Sequence, residues 1–177
     1  MDILAHMLWA NYGARAGNKV LEKKKKPVIS LAWPTWWGVF PDLFAFTIPF
    51  CIVIFNVIFK GQSLSLIRNH HGLAGGFDIA SFLYQFSHSL VIWAVVFAVV
   101  WILSRRPRLV LLGWLLHILI DIPSHAGNMY PTPFLFPISD YRFLDGISWA
   151  NPTYMIVNYS LLLIFTLYFF SKRKKRV

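Results

Sequence analysis

Cysteine is nearly absent: Cys51 stands alone in 177 residues. That excludes an intrachain disulfide, and its apolar neighbours predict an inert, packed thiol. Charge is scarce as well. Only 14% of residues are charged, against about a quarter in ordinary soluble proteins, so a conventional water-facing surface is excluded. No Gly-x-Ser-x-Gly or His-Glu-x-x-His sequence occurs, which removes two common hydrolytic mechanisms. Internal repeats are missing too, unlike the repeat-built transporters. The first apolar stretch carries His6, Asn11 and Arg15 with no small-residue cleavage site after it, so no cleavable signal peptide is expected.

What the chain has is apolar. Hydrophobic residues make up 57% of it, and the mean hydropathy is +0.56. The net charge of +10 is placed for a membrane rather than for nucleic acid. Lys23–Lys26, Arg105–Arg106 with Arg108, and Lys172–Arg176 each flank an apolar stretch, as the positive-inside rule expects of cytoplasmic ends. The partner is therefore the lipid bilayer, with no nucleic acid, and the location is the cell membrane with multiple passes. The tryptophans, among them Trp33, Trp36 and Trp37, read as interface anchors.

The pattern predicts one domain over 1–177, an all-α integral membrane helical bundle of roughly four to five helices. Spans fall at about 3–20, 28–41, 82–103, 109–122 and 153–170. With all basic clusters on one side, 44–59 cannot fully cross; Pro49 inside it fits an interfacial or re-entrant segment. The stretches 60–81 and 123–152 become outer loops.

Within this greasy chain His117, Asp121 and His125 stand four residues apart. On a helix each step is about 400° and about 6 Å, so consecutive members share a face. Ionisable groups at such depth are costly unless paired, and mark function by default. The charge-based topology brings His6, Asp42, His88, His117 and Asp121 to one depth, towards the non-cytoplasmic face. Imidazole nitrogens and carboxylate oxygens are ligands for zinc, or for manganese or iron. Blander roles compete. Asp42 after Pro41 also suits a helix N-terminus, and His88 between two serines suits a packed histidine. His117 and Asp121 could simply pair with each other. His125 is the weaker candidate, because Pro123 disturbs the helix face it would share.

Met1-Asp-Ile-Leu-Ala-His6, Gly38-Val-Phe-Pro-Asp42, Ser87-His-Ser89 and His117-Ile-Leu-Ile-Asp121 resemble, in order, the motifs of a family of membrane-bound metal-dependent hydrolases. That family includes the LexA-regulated inner-membrane hydrolases. The resemblance runs from Met1 to about Gly127 and rests on the order and spacing of short motifs. It implies His6, Asp42, His88, His117 and Asp121 as metal ligands. Two family residues differ: the second aspartate of Pro-Asp-x-Asp falls on Phe44, and the His-Arg pair of His-Arg-x-x-Thr-His-Ser falls near Leu83 and Tyr84. Losing an acid and an imidazole would shrink a two-metal site to one metal or leave a relic, unless His125, or His70 or His71 from the outer loop, substitutes for a missing ligand.

The expected function is hydrolysis by a metal-activated water, with a lipid-like or membrane-anchored ester or phosphoester as substrate. Two other classes compete: a small transporter or proton-coupled permease, and a non-catalytic membrane protein retaining a degenerate metal site.

Overall fold

The computed structural model describes residues 1–61, 74–125 and 131–174; His70 and His71 lie outside them. Among the described residues the chain is all-helical. Helix α1 spans Ile3–Lys23, α2 Ala32–Trp37, α3 Phe40–Lys60, α4 Ala74–Ser87 and α5 Leu90–Ser104. A 3-10 turn at Leu109–Leu111 leads into α6, Leu112–Ser124, and α7 spans Pro152–Lys174.

Local chemistry sets the helix ends. The Asp2 side chain caps α1 by accepting from Ala5 N at 3.0 Å, satisfying one of the first-turn donors. Gly61, at φ 63°, ends α3 in the left-handed conformation, where glycine carries no Cβ penalty.

Among the described residues, length and composition give two or three candidate membrane crossings, where the sequence predicts four to five. Phe40–Lys60 and Pro152–Ser171 are long and apolar enough to cross, and the bent pair Asp78–Ser87 and Leu90–Ser104 makes a third if counted as one span. Several sequence expectations change. Residues 28–41 form no span: α2 is only six residues long, and α3 starts at Phe40 with Pro41 in its first turn. Residues 44–59, expected at the interface or re-entrant, belong to one continuous helix with Pro49 inside it. Helix α4 begins at Ala74, within a stretch expected to be loop. Cys51 is exposed on α3 and not packed.

The expected span 82–103 is broken by 56° at His88–Ser89. Ser89 adopts extended backbone, and its Oγ accepts from the backbone amides of Val91 and Ile92, both at 3.1 Å. It caps a new helix in the middle of an apolar run. The loop braces the bend: Leu90 N donates to Phe134 O at 3.0 Å, and the Ser89 hydroxyl donates to Phe136 O. Trp114 Nε1 donates to Ser87 O at 2.6 Å, tying α6 to the end of α4. Ser89→Ala is expected to destabilise the fold by about 1–2 kcal/mol through the lost cap, read as a lower midpoint in thermal denaturation of the detergent-solubilised protein.

Helix α1 packs against α2, α6 and α7, while α3 lies along α4. Small residues permit the closest approaches. A Cβ on Gly113 would sit 2.0 Å from Pro34 O, and one on Gly38 would sit 2.4 Å from the Ala10 Cβ. These two glycines bring α2 down onto α1 and α6, next to the polar groups those helices carry.

Candidate metal centre

Asp42, His88, His117 and Asp121 converge in the interior. One ligand atom from each lies within 4.8 Å of the other three, and the four could hold a metal ion. They come from three separate segments. Asp42 sits in the first turn of α3. Pro41 precedes it in that turn, so Asp42 also suits the helix N-terminus, a role that leaves its carboxylate able to bind an ion. His88 closes α4, its amide donating to Tyr84 O at 3.0 Å, and the bend at Ser89 stops the chain there. His117 and Asp121 share one face of α6, with Nε2 and Oδ2 3.2 Å apart.

Spacing carries the chemistry. Two atoms bound to one ion at about 2.0–2.2 Å, at a tetrahedral angle, are roughly 3.3–3.6 Å from each other. His88 Nε2 lies 3.5 Å from Asp42 Oδ1 and 3.6 Å from Asp121 Oδ2. His117 Nε2 lies 3.7 Å from Asp42 Oδ1 and 3.0 Å from His88 Nε2. These separations bracket a tetrahedral edge.

Hydrogen bonding sets which nitrogens face inward. His117 Nδ1 is 2.8 Å from Gly38 O. A carbonyl only accepts, so in the neutral ring Nδ1 carries the hydrogen and Nε2 presents a lone pair to the cluster. His88 Nδ1 meets Ser87 Oγ at 2.9 Å, and the Tyr84 ring stacks on the His88 ring at 3.6 Å. Asp121 Oδ2 is buried without a hydrogen-bond partner among the described residues. A buried carboxylate oxygen left so is costly, by about 1–3 kcal/mol or more, unless a cation completes it. The residues therefore fit a divalent ion, on a buried carboxylate oxygen without a hydrogen bond, a His117 nitrogen that presents its lone pair, and matched spacing.

His6 is buried, with Nε2 2.9 Å from Asp121 Oδ1 and its ring stacked on His117 at 3.7 Å. It reaches the other oxygen of Asp121 and stands beside the tetrad, outside the four-atom group. The Met1 amine also meets Asp121 Oδ1, at 2.5 Å.

His125 is closer than the sequence suggests. Pro123 lies inside α6 without ending it, and His125 N still donates to Asp121 O at 3.0 Å. Proline removes only its own amide, and the helix has too few residues left for the kink to swing His125 off the face. His125 Nε2 lies 3.4 Å from Asp121 Oδ1, and Nδ1 lies 3.0 Å from the Tyr84 hydroxyl.

Tyr84, Ser87 and the Gly38 carbonyl are the parts of the site that the residue-type pattern misses. Tyr84 occupies the region where the resembling family has its His-Arg pair, and there it stacks on one histidine and bonds another. Arg142 Nη1 donates to Pro131 O at 3.1 Å.

No family model matches the chain, and no curated protein or solved structure matches it.

Proposed function

We propose that the chain is a membrane-embedded metal-dependent hydrolase acting on a lipid-like ester or phosphoester, with its site towards the non-cytoplasmic face. The observation that carries this reading is the buried tetrad: two carboxylates and two imidazoles whose ligand atoms lie within 4.8 Å of one another. The ordered likeness of the four motifs to membrane-bound metal-dependent hydrolases supports it.

Asp42 Oδ1, His88 Nε2, His117 Nε2 and Asp121 Oδ2 would hold the ion, with zinc first and manganese or iron as alternatives. When bound, a divalent ion supplies Lewis acidity, polarising the scissile carbonyl or phosphoryl group and acidifying water. The chain's own groups do the rest. Gly38 O and Ser87 Oγ orient the two imidazoles, and His6 packs against the His117 ring. The Tyr84 hydroxyl and the Met1 amine hold His125 at the edge of the cluster.

Metal analysis of the full chain, purified in detergent without added chelator, tests this reading. About one divalent ion per chain is expected from a single four-ligand site, together with ester or phosphoester hydrolysis that chelation abolishes and added zinc restores. A preparation with no stoichiometric ion would sink the proposal. Proton-driven flux in liposomes from metal-free protein would favour a permease instead.

A further inference from the structure

A cavity of about 770 Å³ runs alongside the cluster. Its long walls are apolar: Ile3 and Leu4 of α1, Leu43, Phe46 and Phe50 of α3, and Trp149 of the loop before α7. Asp42 and His125 also line it. They are the two members of the cluster that keep the most exposure, at 7% and 8%, while His6, His88, His117 and Asp121 stand at 0–1%. Among the described residues the groove is thus the open approach to the cluster.

We infer that this groove seats one alkyl or acyl chain of a single-chain lipid and delivers the lipid's polar head to Asp42 and His125. Three observations select that occupant. The groove joins an apolar trough to a polar end, which is the shape of an amphiphile. One wall is α3, a helix long and apolar enough to cross a membrane, so a chain enters sideways from the hydrocarbon without passing through water. The volume lies in the range of roughly 300–1,000 Å³ typical of sites for one small ligand, which suits one tail.

Charge selects the head. Asp2 and Asp42 line the groove with Met1, whose amine is taken up by Asp121, and among the described residues no Lys or Arg lines it. The favoured head is therefore uncharged or zwitterionic, and a free carboxylate is disfavoured. Binding stands independently of the hydrolase reading; the claim that the bound lipid is substrate rests on it.

Trp149 provides the readout. The full chain in detergent is titrated with a monoacyl phosphatidylcholine brominated along its chain, and tryptophan fluorescence is followed. Saturable quenching is expected, with a component lost in Trp149→Phe. Affinity should rise about fourfold per added methylene until the groove is full, since each buried methylene contributes roughly that factor. Ala150→Phe, at a groove-lining exposed position, should weaken binding at least about tenfold by occupying volume worth several methylenes, with metal content unchanged. A brominated fatty acid should bind more weakly than the zwitterionic lipid.

Quenching that never saturates, or that is the same in Trp149→Phe and Ala150→Phe, means partition into bulk lipid and overturns the proposal. Fatty acid binding as tight as the zwitterion overturns the choice of head. Saturable quenching by metal-free protein defeats the hydrolase and leaves the lipid site, whereas bound metal without saturable quenching does the reverse.

Discussion

Replacing His117 with alanine is expected to lower metal affinity by more than about 100-fold and to remove hydrolysis with it. Loss of a group that merely orients a ligand costs roughly 10–100-fold, and His117 Nε2 is itself one of the four inward atoms, within 3.0–3.7 Å of the other three. Ser87→Ala, which removes the partner of His88 Nδ1, supplies the graded comparison: about 10–100-fold, with the ligand set intact. Both are read by competition with a chromogenic chelator, alongside circular dichroism to verify helicity. Undiminished metal content in folded His117→Ala protein would rule out the tetrad as the site.

Alanine at Gly113 should be the most damaging small change in the fold. Its Cβ would lie 2.0 Å from Pro34 O and 2.9 Å from Pro34 C. Both are backbone atoms, which cannot rotate aside as a side chain would. Overpacking usually costs about 1–3 kcal/mol, and backbone opposition places Gly113→Ala at or above the top of that range. Because α2 would be pushed away, the Gly38 carbonyl would leave His117 Nδ1, and metal affinity should fall along with thermal stability. Gly17→Ala is the matched control: nothing lies within 4 Å of its Cβ position, and alanine in the interior of α1 is favoured by about 1 kcal/mol. A thermal midpoint unchanged in Gly113→Ala would show that α2 is not held where its contacts place it.

The histidines and aspartates were legible because ionisable groups are rare in so apolar a chain and have little reason to be buried alone. His117 and Asp121 could be joined by helical spacing, and Asp42 and His88 by the depth that charge placement assigns. His125 was undervalued because proline is a helix breaker in general, while near the end of a helix it leaves the last turn in place. The bend at Ser89 was hidden for the opposite reason. A single capping hydroxyl leaves no mark on the hydropathy of 82–103, yet it makes two helices and fixes where His88 points. The length of α2, the approach of Pro34 to Gly113 and the bond from His117 to the Gly38 carbonyl are tertiary facts. No periodicity encodes them, because each depends on two segments far apart in the chain.

The lone cysteine acquires a different meaning beside the tetrad. Small secreted domains tie distant segments together with disulfides, which take conformational freedom from the unfolded chain. Here three separate segments, the start of α3, the end of α4 and the face of α6, meet at four side chains. A cation held among them acts as a reversible staple, closing loops that Cys51 alone cannot close. Such a staple can be inserted after translation and withdrawn by competition for the ion, so the resistance of this chain to unfolding would track the metal supply of its compartment.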